Sequence, residues 1–131
     1  SYDSVSPFSN TTLGEALLTP TRLYAGVSLP LIRRGLIKGL AHITGGGLTE
    51  NTPRMVPDHL VPVINRKAWT PPPVFEWLQG AGNVAEDEMH RTFNMGIGMV
   101  FAVAPEDADT VCAALQTAGE APVILGRLAS A

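Results

Sequence analysis

The sequence has one cysteine, Cys112, so no disulfide can close within the chain and no cysteine metal cluster can form. This fits a reducing compartment, and a cytoplasmic setting is expected. Charge is sparse too. Charged residues make up 16% of the 131 positions, 9 basic and 12 acidic, with a net charge of −3. Such a chain lacks the basic surface that a nucleic acid or an anionic membrane would need. No apolar run approaches the roughly 20 residues of a membrane-spanning helix, and no secretory leader pattern is seen. The three histidines, His42, His59 and His90, do not stand at ligand spacing, and no metal site is expected from these residues.

What the chain does have is glycine (13 residues), proline (11) and a hydrophobic fraction of 45%, enough for one domain with a real core. Residues 1–11 read as a linker or lead-in and 12–131 as the domain. The chain starts with Ser1 rather than Met, and a piece of a longer protein is expected. Thr12 with Glu15 has capping-box spacing and predicts a short helix to Leu18. Helical spacing over 24–34 stops at Gly35, with Pro30 predicting a kink or a late start. Strands are expected at 36–43, 60–64, 96–103 and 123–128. Further helices are expected at 48–51, at 74–78 (ended by Gly80), at 85–92 and at 105–118. Cys112 falls among alanines in the last of these and reads as core. Strands alternating with helices predict a sheet covered by helices.

The most informative stretch is residues 41–54, Ala-His-Ile-Thr-Gly-Gly-Gly-Leu-Thr-Glu-Asn-Thr-Pro-Arg. His42 ends a strand, as a satisfied structural histidine or as a proton donor and hydrogen-bond partner to a charged ligand. Gly45, Gly46 and Gly47 exceed what a tight turn needs and predict close approach of a ligand or of another backbone. They form neither a Walker loop nor a dinucleotide fingerprint. Asn51 and Arg54 follow, the latter with a planar fork suited to phosphate; a solvated Glu50–Arg54 pair is the plain alternative. In a second stretch, residues 91–99, Gly96 and Gly98 would share one strand face and admit a close-packed helix or a ligand, with Arg91 and Asn94 as polar-contact candidates.

Three blocks, LLTPTRLY (17–24), AHITGGGLTENTPR (41–54) and EMHRTFNMGIGM (88–99), with Trp69 and Phe75-Glu76-Trp77-Leu78 between them, resemble the C-terminal domain of the aminoimidazole ribonucleotide synthetase family. These are the phosphoribosylformylglycinamidine cyclo-ligases of purine biosynthesis. The resemblance implies a three-layer α/β/α fold (α/β or α+β) with a mixed sheet, partly ferredoxin-like. It implies a ligase that uses ATP and Mg2+, bound mostly by an N-terminal domain outside this chain, and a homodimeric full-length protein. The substrate would be formylglycinamidine ribonucleotide, closed to 5-aminoimidazole ribonucleotide with release of ADP and phosphate. His42 matches the family's active-site histidine, and Thr44, Gly45, Gly46, Gly47, Asn51, Arg54, Arg91 and Asn94 would bind substrate or phosphate. The alternatives are a non-catalytic phosphate-ligand or interaction module, or a related two-domain ATP-using enzyme.

Overall fold

A computed structural model describes all 131 residues. The helices are α1 (Leu13–Leu17), α2 (Ala25–Arg33), α3 (Gly47–Asn51), α4 (Pro73–Gly82), α5 (Glu86–Thr92) and α6 (Ala108–Thr117). The strands are β1 (Gly39–His42), β2 (Leu60–Ile64), β3 (Met99–Ala102) and β4 (Gly126–Ser130). No helix is long and apolar enough to cross a membrane.

The local chemistry of the sequence explains several boundaries. Thr12 caps α1 by accepting from the Glu15 N–H, while the Glu15 carboxylate accepts from the Thr12 N–H at 3.0 Å. The Thr12 backbone and hydroxyl together hold the Glu15 carboxyl below its ordinary range. Gly35 takes the left-handed conformation just past α2, and Pro30 is carried inside that helix. Gly80 does not end α4; the helix runs on to Gly82, where Asn83 takes the left-handed cap at φ 47°. Asparagine tolerates that region because its short amide bonds locally. The lead-in folds back on the domain. Val5 bridges to Thr12, and the Phe8 and Trp77 rings lie 5.2 Å apart.

Helices and strands coexist as expected for the α/β class, but the single mixed sheet is replaced by two antiparallel pairs, β1–β3 and β2–β4. Pro62 sits inside β2 and has no N–H to offer, which suits a strand paired on one side only. Beside β1, a 3-10 turn (Thr52–Met55) packs along the strand, and a Cβ on Gly39 would lie 3.2 Å from the Met55 carbonyl oxygen. That turn covers the strand's surroundings in place of a further strand.

The β1–β3 pair separates two cores. On one face Phe101 joins Leu31 of α2 and Val111 and Leu115 of α6. On the other, Ala41 and Val100 pack with Ile43, Leu48 and Trp69. The register sets Ala41 opposite Val100 and His42 opposite Met99. Because side chains alternate along a strand, Leu40 and His42 emerge on the face that carries Phe101, the α2 side. The strand expected over 96–103 is shorter because Gly96 lies at φ +92° in a turn against Pro72.

Candidate functional site

β1 delivers the site. Ala41 and Ile43 are buried, and His42 between them is exposed. The chain then turns through Thr44, Gly45 and Gly46 into α3. Each glycine of the triplet has its own reason. A side chain on Gly47 (φ +58°) would overlap the backbone carbonyl oxygens of His90 and Phe93, so this glycine lets α3 meet α5. Gly46, at φ +96°, is the left-handed residue before the helix and lies under the Glu50 side chain. Gly45 has no atom within 4 Å of where a side chain would begin. The close approach expected of this run is therefore made to another backbone at Gly47, and only Gly45 faces open space. No backbone acceptor takes the Gly45 or Gly46 N–H, whereas Gly47 N–H donates to Thr44 O at 3.1 Å.

Asn51 is 3% exposed and fastens the loop from beneath. Its Nδ2 donates to Gly47 O at 2.8 Å and to Gly45 O at 3.1 Å. Its amide N–H groups are thus committed to the loop. Arg54, on the following 3-10 turn, is exposed and makes no ion pair; the solvated Glu50–Arg54 pair does not form. A pocket of about 230 Å3 brings His42, Asn51 and Arg54 together with Leu40, Ala41 and Met55. Positions up to fifteen residues apart in sequence meet there because the loop and α3 double back along β1.

Arg91 and Asn94 are occupied elsewhere. Arg91 donates through Nε and Nη2 to the two carboxylate oxygens of Glu88, at 2.9 and 2.8 Å. That pairing keeps Glu88 below its ordinary range, and Glu88, with a smaller contribution from Glu50, pushes Arg91 up. The Asn94 Oδ1 accepts from Gly96 N–H at 2.9 Å and shapes the turn before β3. Thr44 is exposed at the loop mouth. No group of three or more His, Cys, Asp or Glu side chains comes together to hold a metal ion.

Sequence reasoning passed over Tyr24. Its ring stands edge-on to the His42 imidazole, centroids 5.9 Å apart, and its hydroxyl lies over Gly98. The signal was present in the three sequence blocks, since Tyr24 ends the first, His42 belongs to the second and Gly98 to the third.

Across residues 2–130 the chain matches the family model described as AIR synthase related protein, C-terminal domain. It is 52% identical over 128 residues to a bifunctional purine biosynthetic protein, ADE1, of Schizosaccharomyces pombe, covering 97% of this chain and 16% of that protein. It is 51% identical over 126 residues to a phosphoribosylformylglycinamidine cyclo-ligase of Cupriavidus pinatubonensis, covering 96% of this chain and 36% of that one. A protein of the same name from Neisseria meningitidis serogroup C is 54% identical over 115 residues, 88% of this chain and 33% of its own length. The chain thus spans between about a sixth and just over a third of the relatives it matches. The family model spans nearly the whole chain and the relatives are more than half identical to it, so the chain belongs to the AIR synthase related protein, C-terminal domain, family.

Proposed function

We propose that this chain is the C-terminal half-site of an ATP-dependent phosphoribosylformylglycinamidine cyclo-ligase, acting in purine biosynthesis on formylglycinamidine ribonucleotide. The observation that carries this reading is the pocket in which His42 and an unpaired Arg54 stand beside a loop with free N–H groups. The names of the relatives supply the reaction class.

Ring closure requires a formyl amide oxygen to leave, and ATP supplies a phosphoryl group that makes it a leaving group. The residues here fit an anionic phosphate. Arg54 offers a fork of donors, and Gly45 and Gly46 offer N–H groups with no other acceptor. They do not make a Mg2+ site by themselves, since no carboxylates converge. The metal ligands and most of the nucleotide contacts are assigned to the remainder of the intact protein, as is the dimer contact. Asn51 keeps the loop carbonyls turned inward, which leaves the N–H face to the ligand. His42, exposed in the pocket, donates a hydrogen bond to developing negative charge or moves a proton as the ring closes.

The test is steady-state turnover of the intact protein with His42→Ala and Arg54→Ala. Both side chains are exposed, so unfolding midpoints are expected to stay near wild type. For His42→Ala, kcat is expected to fall by about 100-fold or more, the usual contribution of a positioned acid or base. Arg54→Ala is expected to raise KM. Unchanged turnover on removal of His42 takes it out of the mechanism, and robust turnover by residues 1–131 alone overturns the half-site account.

A further inference from the structure

We infer that Tyr24 is a positioning residue for His42, and that Gly98 is glycine in order to seat it. The inference rests on the proposed role of His42 for its kinetic consequence, but not for its geometry. Leu40 and His42 leave β1 on the α2 side of the sheet, where Val27 and Leu31 pack with Phe101. Tyr24 immediately precedes α2, so the helix that covers this face carries the phenol to the imidazole. Its backbone is fixed. The Tyr24 carbonyl accepts from the Ser28 N–H at 3.0 Å and from the Ser28 hydroxyl at 2.7 Å, and Ser28 is 5% exposed. The ring then meets His42 edge-on, at an interplanar angle of 63°.

Gly98 completes the seat. Its carbonyl accepts from the Ile43 N–H at 2.9 Å, which places it across from the residue after His42. A Cβ at Gly98 would overlap the Tyr24 hydroxyl, and the backbone there is not in the left-handed region. Alanine there would therefore displace the phenol without straining the backbone. His42 is otherwise an exposed side chain at the end of a short strand, with no hydrogen-bond partner of its own to orient it. A wall on one side removes part of its freedom to rotate before the ligand arrives. A reacting group misplaced by about 1 Å can lose about 100-fold in rate, so such a wall matters to a catalytic imidazole.

The test uses the intact protein with isotope-labelled histidine, the His42 resonances being assigned by their loss in His42→Ala. Tyr24→Ala and Gly98→Ala are expected to shift the His42 imidazole C–H resonances and to lower kcat by about 10-fold with little change in KM. Tyr24→Phe, which keeps the ring, is expected to restore both. Combined with His42→Ala, neither substitution should lower turnover further, because both act through that side chain. Should Tyr24→Ala fail to fold, Gly98→Ala carries the same test by displacing the phenol. Folded variants with unmoved His42 resonances overturn the inference, as does an equal loss of turnover in the His42→Ala background. If His42→Ala itself turns over normally, the functional reading of His42 fails, and the resonances alone decide whether Tyr24 orients it.

Discussion

Gly45 and Gly47 stand two residues apart in one loop, and alanine is expected to act oppositely at each. At Gly47, φ is +58°, which costs an L-residue about 1–2 kcal/mol. The new Cβ would also overlap the carbonyl oxygens of His90 and Phe93. Both are backbone atoms, so α3 and α5 must move apart, an overpacking cost of about 1–3 kcal/mol. The sum, about 2–5 kcal/mol, is a large part of the roughly 5–15 kcal/mol that holds a domain folded. At Gly45 nothing lies within 4 Å and φ is not positive. Alanine there restricts the unfolded chain and is expected to be neutral or stabilising by up to about 1 kcal/mol. Urea unfolding of the two variants beside wild type, followed by circular dichroism, measures both. A Gly47→Ala midpoint within about 1 kcal/mol of wild type refutes the packing argument. A Gly45→Ala loss as large as that of Gly47→Ala refutes the claim that Gly45 is open. A fall in turnover at Gly45 with stability unchanged assigns that position to ligand contact.

Further outcomes are expected from the same structure. Asn51→Ala leaves the Gly45 and Gly47 carbonyls without their donor and is expected to cost about 1–3 kcal/mol; Asn51→Asp does not rescue it, since a carboxylate has no N–H. Amide exchange across 44–48 checks the loosening. Burial first, and Arg66 second, lower the His90 pKa from 6.5, against the opposing pull of Glu86 and Asp87. The unfolded chain then binds the proton more readily than the folded one. The stability gained from neutral His90 is thus present above pH 6.5 and is lost as pH falls below it. Unfolding midpoints from pH 7.5 down to 5 should decline in wild type and decline less in His90→Asn; equal slopes remove His90 as the cause. Leu18 and Leu23 are 82% and 93% exposed, and Tyr2 and Val5 are 74% and 81% exposed. Residues 1–131 alone are expected to bind a hydrophobic dye or self-associate in sedimentation; a dye-silent monomer removes that expectation.

Local chemistry made much of the fold legible. The capping-box helix α1, which stops at Leu17 one residue before the expected Leu18, and the short strand at 60–64 were legible, because both depend on residues within a few positions of one another. Gly80 was the natural stop for α4, yet the helix passes through it and Asn83 makes the cap. A glycine permits a stop without requiring one. The pairing of strands was not legible. Nothing in 36–43 or 123–128 states which neighbour will supply hydrogen bonds, and the strands form two antiparallel pairs, not one mixed sheet.

The site divides in the same way. By itself the sequence determined the family, through three long blocks in order, and with it the histidine and the glycine loop. It also placed His42 at a strand end, with a structural and a functional reading both open. Only the tertiary structure decided what each glycine is for. Gly47 answers to α5, Gly98 to Tyr24 and Gly96 to Pro72, and of the loop triplet only Gly45 faces open space. It likewise decided that Arg54 shares the His42 pocket while Arg91 is held by Glu88, and that Asn51 is a clamp. The physical reason is common to all of these. A residue type limits what a position can do, but which neighbour it meets depends on contacts between segments far apart in the chain.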